Sequence, residues 1–181
     1  RTDAILVGGA MACTFFRAMG LETGTSLVEA DRVEMARALM AKAGDKLVLP
    51  SGAVIGEKLE AGTPTRSVPR DRIPPGWAMF DVDVATEKDF AARIAAAKTV
   101  VWNGPMGVFE VAPFAKGTLA VANAIAGVQG TTIIGGGDSV AAINAAGVAN
   151  KITHISTGGG ASLEFLGGAE LPGVAALPDK R

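Results

Sequence analysis

Short apolar runs alternate along the chain with segments in which apolar residues recur at helical spacing. Several runs, such as residues 4–7 and 131–134, stop in glycine, and a helical pattern begins shortly afterwards. This alternation predicts strands at residues 4–7, 46–49, 53–55, 79–82, 99–102, 131–134 and 152–155, and helices at residues 11–19, 28–43, 87–97, 114–126, 139–146 and 161–166.

The stretch from residue 51 to residue 77 interrupts this order. It contains four prolines together with several arginines and glycines, a composition typical of turns and loops. We therefore predict a surface excursion here, with a short strand at residues 53–55 inside it.

Strands that alternate with helices predict a parallel sheet, because each right-handed crossover helix packs back onto the sheet. The runs at residues 4–7 and 131–134 do not alternate apolar with polar residues, as expected when both faces of a sheet are buried. The predicted fold class is α/β, a Rossmann-like three-layer α/β/α arrangement with a mainly parallel sheet, in one domain of residues 1–181.

The charge and the cysteine content narrow the range of expected binding partners and of expected cellular compartments. Seventeen Lys and Arg against eighteen Asp and Glu give no basic excess for a nucleic acid or an anionic membrane surface. Cys13 is the single cysteine, which excludes an internal disulfide framework. No apolar run reaches the ~18–20 residues of a membrane helix, and the first residues do not form a signal sequence. We expect a cytoplasmic protein with neither nucleic acid nor membrane as partner.

Glycine turns follow four of the predicted strands, at Gly8-Gly9, Asn103-Gly104-Pro105, residues 135–137 and residues 158–160. The carboxyl ends of parallel strands share one edge of the sheet, where ligands bind. Glycine admits close backbone approach, and a helix amino terminus presents unpaired N–H groups to an anion. One such turn more often serves tight turning, but four on one edge favour a phosphate or nucleotide site.

The standard nucleotide motifs do not match these turns. The phosphate-loop pattern G-x-x-x-x-G-K-[ST] is absent from the sequence, and Gly8-Gly9-Ala10 has the wrong spacing for the dinucleotide fingerprint. A phosphate-loop ATPase is therefore disfavoured. An NAD-type oxidoreductase domain remains an alternative, as does a noncatalytic nucleotide-binding or assembly module.

Two acidic residues are candidates for the site. Asp138 follows the glycines of residues 135–137 and precedes a helix, where its carboxylate could cap that helix or bind Mg²⁺ beside phosphate oxygens. The residue chemistry leaves both roles open. Glu110 could accept hydrogen bonds from ribose hydroxyls or be an exposed loop residue.

Read together, the turns resemble those of one family. Residues 102–110 read Trp-Asn-Gly-Pro-Met-Gly-Val-Phe-Glu, residues 133–139 read Ile-Ile-Gly-Gly-Gly-Asp-Ser, and residues 154–162 read His-Ile-Ser-Thr-Gly-Gly-Gly-Ala-Ser. Phe-Ala-Lys-Gly-Thr at residues 114–118 and Leu-Pro-Gly-Val at residues 171–174 agree in order and spacing. The chain resembles the carboxyl-terminal, nucleotide-binding half of phosphoglycerate kinases over nearly its whole length.

The resemblance implies binding of ADP or ATP with Mg²⁺ for reversible phosphoryl transfer between 1,3-bisphosphoglycerate and ADP in glycolysis. It also implies a role for each residue that matches the family's motifs. The residues at the adenosine and ribose end would be Gly8, Gly9, Asn103, Pro105, Gly107, Val108 and Glu110. The residues at the phosphates would be Gly136, Gly137, Asp138 and Ser139, with Asp138 toward magnesium. The residues at the transferring phosphoryl group would be Gly158, Gly159 and Gly160.

The chain departs from the family pattern at residues around the expected base pocket. Ala10 stands where the family has a third glycine, Met79-Phe80 where it has Gly-Leu, and Asp83-Val84 where it has Gly-Pro. Bulkier side chains there are expected to tighten or reshape the adenine slot.

The sequence has no counterpart of the family's amino-terminal domain, which binds the phosphoglycerate and supplies a catalytic arginine. A strand and a lysine-bearing turn that precede Arg1 in the family are missing too. Because transfer depends on positioning and charge neutralisation, we expect the chain alone to bind nucleotide weakly and not to turn over. The missing strand would be an inner one, so an unpaired strand edge that invites self-association is also expected.

Overall fold

Strands and helices alternate through the computed structural model, which describes residues 2–178. The strands are β1 Ile5–Leu6, β2 Leu47–Val48, β3 Gly52–Gly56, β4 Thr65–Pro69, β5 Ala78–Val82, β6 Thr99–Asn103, β7 Thr131–Gly135 and β8 His154–Ser156. The α-helices are α1 Gly9–Ala18, α2 Val33–Ala43, α3 Val84–Ala96, α4 Lys116–Ala126, α5 Gly137–Ala145, α6 Gly159–Leu166 and α7 Pro172–Ala175. No helix within residues 2–178 is both long and apolar enough to cross a membrane.

Five strands run parallel to their partners. β1 pairs with β2 in register Ile5 to Leu47, and β7 lies between β6 and β8 in a second parallel sheet. In this second sheet Thr99 faces Thr131, and Ile133 faces His154. Helices follow β1, β6, β7 and β8, as the crossover connections of parallel strands require, whereas β2 leads directly into β3. The predicted α/β fold with a mainly parallel sheet is confirmed.

A three-stranded antiparallel sheet is the part that the sequence pattern did not predict. β3 lies between β4 and β5, with Gly52 opposite Pro69 and Ala53 opposite Val82. The short strand predicted at residues 53–55 is confirmed as part of β3, and the prediction of a surface excursion over residues 51–77 was wrong where β4 forms. β4 is mostly exposed, so its residues show no apolar periodicity from which a strand could be recognised.

The core is built from helix faces turned toward the strands. Phe16 of α1, Phe90 of α3 and Ile143 of α5 are fully buried, as is Ile134 of β7. Burial of each such side chain contributes roughly 1.5–3 kcal/mol to folding. α1 packs against β5 and α2, and α4 packs against α3, α5 and β5, so these helices connect the antiparallel sheet to the parallel strands.

β1 and β6 each have one edge that is without a partner strand within residues 2–178. β1 pairs on one side with β2, β6 pairs on one side with β7, and no ladder joins β1 to β6. Ile5 in β1 is 47% exposed and Val101 in β6 is 39% exposed, values that are high for strands of a parallel sheet. Unpaired edges of this kind offer N–H and C=O groups to a further strand.

We therefore expect the chain to self-associate. Its average mass in sedimentation velocity should rise with protein concentration, and Val101→Lys should reduce the rise because a charged side chain disfavours edge pairing. A chain that stays monomeric at high concentration and melts cooperatively would contradict this expectation.

Candidate functional site

The loops after β1, β6 and β7 are joined by hydrogen bonds between their backbones and side chains. We call residues 104–108 the β6 loop. Gly9 N–H, after β1, donates to the carbonyl oxygen of Met106 in the β6 loop at 2.9 Å. Gly104 N–H, in the same loop, donates to Ser139 Oγ after β7 at 2.7 Å. Three of the glycine turns therefore meet at one edge.

The loop after β8 joins the same edge. Asn103, the last residue of β6, donates from its side-chain amide to the carbonyl oxygen of Gly159 at 3.0 Å. Gly136 N–H donates to the carbonyl oxygen of Ser156 at 3.0 Å. All four strand-end loops thus converge on one edge, as the sequence predicted.

Glycine is required where these loops touch. Gly136 has φ +91°, a conformation that side chains rarely adopt, and a Cβ there would lie 3.1 Å from Asn103 Oδ1. A Cβ on Gly159 would lie 2.8 Å from the Gly136 Cα. A side chain at Gly159 would push the loops after β7 and β8 apart, and a side chain at Gly136 would press on Asn103.

Three helices begin at this edge, and two of their first amides already have acceptors outside the helix: Gly9 N–H donates to Met106 and Gly159 N–H donates to the carbonyl oxygen of Thr157 at 3.2 Å. The residues before α1, α5 and α6 are Gly8, Gly136 and Gly158, and none provides a side-chain hydrogen bond to its helix. The first N–H groups of a helix have no acceptor within the helix, and they carry a partial positive charge. The edge can therefore bind an anion with backbone groups alone.

Asp138 lies in the first turn of α5 and its side chain is exposed. It is not the helix cap, because Gly136 occupies that position, so the capping role considered from the sequence was wrong. Within residues 2–178 no three His, Cys, Asp or Glu residues cluster as a metal site. One carboxylate suits Mg²⁺ only if phosphate oxygens and water complete its coordination, which is the arrangement magnesium prefers.

The N–H groups of the β6 loop, by contrast, are all engaged. Met106 and Gly107 both donate to Thr118 Oγ1 at 3.1 Å, and Val108 donates to the carbonyl oxygen of Phe80 at 2.9 Å. The first loop residue donates to the serine after β7, and its proline has no N–H. This loop therefore has no amide available for a phosphate.

The structure brings most of the predicted residues together. Ser139 is fully buried and its hydroxyl is used by the β6 loop, so only its backbone faces the opening. Glu110 lies in an exposed turn just beyond the β6 loop. The residues that lie in the four loops or in the first helical turns are Gly8, Gly9, Asn103, Pro105, Gly107, Val108, Gly136, Gly137, Asp138, Ser139, Gly158, Gly159 and Gly160.

Some of the residues that depart from the family pattern make contacts inside the protein, and others are exposed. Met79 is buried in the core, where its sulfur lies 3.7 Å from the Cys13 thiol. Asp83 caps α3 by accepting a hydrogen bond from Thr86 N–H at 2.9 Å. Ala10, in contrast, is exposed at the start of α1. Met79 and Asp83 therefore serve packing and capping, and an effect on an adenine slot stays a prediction.

A buried carboxylate beneath the β6 loop was missed. Asp81 of β5 is fully buried and accepts hydrogen bonds from Gly117 N–H at 2.8 Å and Val82 N–H at 2.9 Å. Burial raises the pKa of the Asp81 carboxyl to about 7, although the two hydrogen bonds oppose the rise. The sequence held a signal, because a charged residue inside an apolar strand needs a partner.

Replacing Gly136 and Gly137 separately tests the loop packing. Gly136→Ala forces a side chain into the positive-φ conformation and against Asn103, so its free energy of unfolding should fall by about 1–3 kcal/mol. Gly137→Ala is the matched control. It has open space and a helical position, and should change stability by less than about 1 kcal/mol. Urea unfolding of both variants measures the difference, and equal losses would contradict the packing argument.

Comparison with known proteins agrees with this geometry. The family model for phosphoglycerate kinase matches residues 1–169. The phosphoglycerate kinase of Solibacter usitatus is 56% identical over 175 residues, which are 97% of this chain and 44% of that protein. The one from Clostridium novyi is 54% identical over 183 residues, covering 99% of this chain and 46% of that protein.

Solved structures give the same result. The phosphoglycerate kinase of Coxiella burnetii aligns with a TM-score of 0.92 and 36% identity, over 97% of this chain and 46% of that one. The enzyme of Pyrococcus horikoshii OT3 aligns with a TM-score of 0.85 and 31% identity, over 97% and 45%. The chain therefore spans slightly less than half the length of the relatives it matches.

Proposed function

Because the chain belongs to the phosphoglycerate kinase family, we propose that residues 1–181 form a nucleotide-binding domain that holds ADP or ATP with Mg²⁺. Nucleotide binding by this domain would serve reversible phosphoryl transfer between 1,3-bisphosphoglycerate and ADP in cytoplasmic glycolysis. One observation carries the proposal: the β6 loop uses all its amides internally, whereas α5 and α6 begin with amides that have no partner in their helices. The site thus has one end suited to an uncharged group and another suited to phosphates.

The β6 loop forms the adenosine end. Without an available N–H it offers carbonyl oxygens and the apolar surfaces of Pro105 and Val108, which suit a base and a sugar better than an anion. Glu110, exposed just beyond the loop, would accept hydrogen bonds from the ribose hydroxyls. Gly8, Gly9, Asn103 and Gly107 complete this end.

The start of α5 forms the phosphate end. The N–H groups of Gly137, Asp138 and Ser139 lie in its first turn, and Gly136 allows a ligand to approach the backbone closely. The Asp138 carboxylate is placed to hold Mg²⁺ together with phosphate oxygens. Bound Mg²⁺ would neutralise negative charge on the phosphates during transfer.

Gly158, Gly159 and Gly160 form the third part, at the start of α6. The N–H groups of Gly158 and Gly159 donate to Ser156 Oγ and to the carbonyl oxygen of Thr157, both at 3.2 Å, so the amide of Gly160 would be the one that stabilises the negative charge spreading over the transferring phosphoryl group. The side-chain amide of Asn103 donates to the carbonyl oxygen of Gly159 at 3.0 Å and so fixes the start of α6 relative to the end of β6. This fixed spacing is what positional catalysis of phosphoryl transfer requires.

The phosphoglycerate would come from outside this chain. The relatives are more than twice as long as the matched segment, and we assign the acid-binding surface to the part that this chain lacks. The 181 residues by themselves are proposed to bind nucleotide weakly and to be inactive.

Replacing Asp138 tests the phosphate end. Asp138→Asn should weaken MgADP binding about tenfold and leave metal-free ADP binding within about threefold, because only the magnesium contact is lost. Isothermal titration would measure both, with Asp45→Asn as a control, because Asp45 precedes β2 at the opposite edge of the strands. Equal effects on MgADP and metal-free ADP would count against the magnesium role. Preferential binding of NADH would favour an oxidoreductase domain instead.

Turnover measurements test whether this chain needs the other half of the enzyme for activity. The purified chain with 3-phosphoglycerate and MgATP should show no activity in a coupled assay, and adding the separately expressed amino-terminal half of a close relative should restore some. Appreciable turnover by the chain alone would refute its proposed inactivity. Nucleotide binding without restored activity would favour a noncatalytic module.

A further inference from the structure

The β6 loop has no regular secondary structure, so its shape depends on groups outside it. Two of its amides, those of Met106 and Gly107, share one acceptor, the hydroxyl oxygen of Thr118 in the first turn of α4. Thr118 is fully buried. It therefore acts on the loop from beneath and is shielded from solvent.

Asp81 holds the residue next to that threonine. Its carboxylate accepts the N–H of Gly117, and the same carboxylate lies 2.3 Å from the positions that a Cβ on Gly107 or Gly117 would occupy. Both glycines thus pack directly on the carboxylate, one from the β6 loop and one from α4. A larger residue at either position would displace the loop from the strand.

These contacts form a continuous connection from the antiparallel sheet to the loop. Asp81 in β5 fixes the start of α4, α4 presents Thr118, and Thr118 fixes the amides of the loop. A second hydrogen bond, which Val108 N–H donates to the carbonyl oxygen of Phe80 in β5, holds the far end of the loop. An apolar residue at position 81 or 118 would leave buried amides without an acceptor, which is costly.

We propose that Asp81 and Thr118 are positioning residues that hold the β6 loop in the shape that receives the adenosine part of the nucleotide. The inference rests on the nucleotide-binding function proposed above. Neither side chain touches the ligand. Both act through the backbone of residues 104–108, so that nucleotide meets a preformed surface and binding has little ordering cost.

The threonine allows a matched comparison. Thr118→Val keeps the shape of the side chain and removes the acceptor, whereas Thr118→Ser keeps the acceptor. In the valine variant, amide hydrogen exchange at Met106 and Gly107, followed by NMR without nucleotide, should accelerate about tenfold or more. Its dissociation constant for MgADP should rise about tenfold, and the serine variant should return both values to within about threefold of wild type.

Thr132→Val is the control for a general loss of stability. Thr132 is also buried and its hydroxyl also accepts a backbone N–H, that of Thr153 at 3.0 Å, but it lies near the start of β7, away from the loops. This variant should leave the β6 loop amides and MgADP binding unchanged. Asp81→Asn should behave like Thr118→Val, and should it fail to fold, the threonine pair decides.

The outcomes separate the two proposals. Unchanged exchange and affinity in Thr118→Val, or equal changes in Thr132→Val, would overturn the positioning role. If the wild-type chain binds no MgADP at all, the proposed function fails, and the exchange rates still decide whether Asp81 and Thr118 hold the loop.

Discussion

The close approach of the loops after β7 and β8 is the constraint on which the site depends. Gly136 and Gly159 meet backbone to backbone: a Cβ on Gly159 would lie 2.8 Å from the Gly136 Cα, and a Cβ on Gly136 would lie 3.1 Å from Asn103 Oδ1. Because of this approach, the starts of α5 and α6 lie side by side, and the Asn103 side chain can bond across to Gly159. Two helix amino termini then act on the same space, where one alone would be a weak anion site.

The use of backbone amides divides this edge into two chemical regions. The amides of the β6 loop bond to Ser139, Thr118 and Phe80, so this region is already satisfied and cannot attract a phosphate. The amides at the start of α5 and α6 remain without helical acceptors. Glycine turns that look alike in the sequence therefore differ in function, because only the fold decides which amides are already used.

The parallel strands could be predicted because burial of both faces leaves uninterrupted apolar runs, as in residues 131–134. β4 could not, since its side chains are mostly exposed and it is held by antiparallel pairing with the preceding strand β3 rather than by an apolar face of its own. The glycine turns indicated the edge at which the site lies. The cap of α5 was misassigned to Asp138, because sequence alone does not show that Gly136 adopts φ +91° and begins the helix earlier.

Asp81 shows most clearly why the buried residues that hold a site in place are harder to predict from sequence than the residues that line it. Its partners, Gly117 and Gly107, are far away in the sequence and contribute only backbone, so no motif marks them. Burial raises the pKa of the Asp81 carboxyl to about 7, so desolvation of its charge offsets part of the stability that its two hydrogen bonds contribute. The Asp81 carboxylate accepts one N–H from β5, that of Val82, and one from the start of α4, that of Gly117. It can accept both only if β5 and α4 keep a fixed distance, so its contribution is geometric. Burying this carboxylate thus fixes the antiparallel sheet relative to the loop that faces the proposed nucleotide.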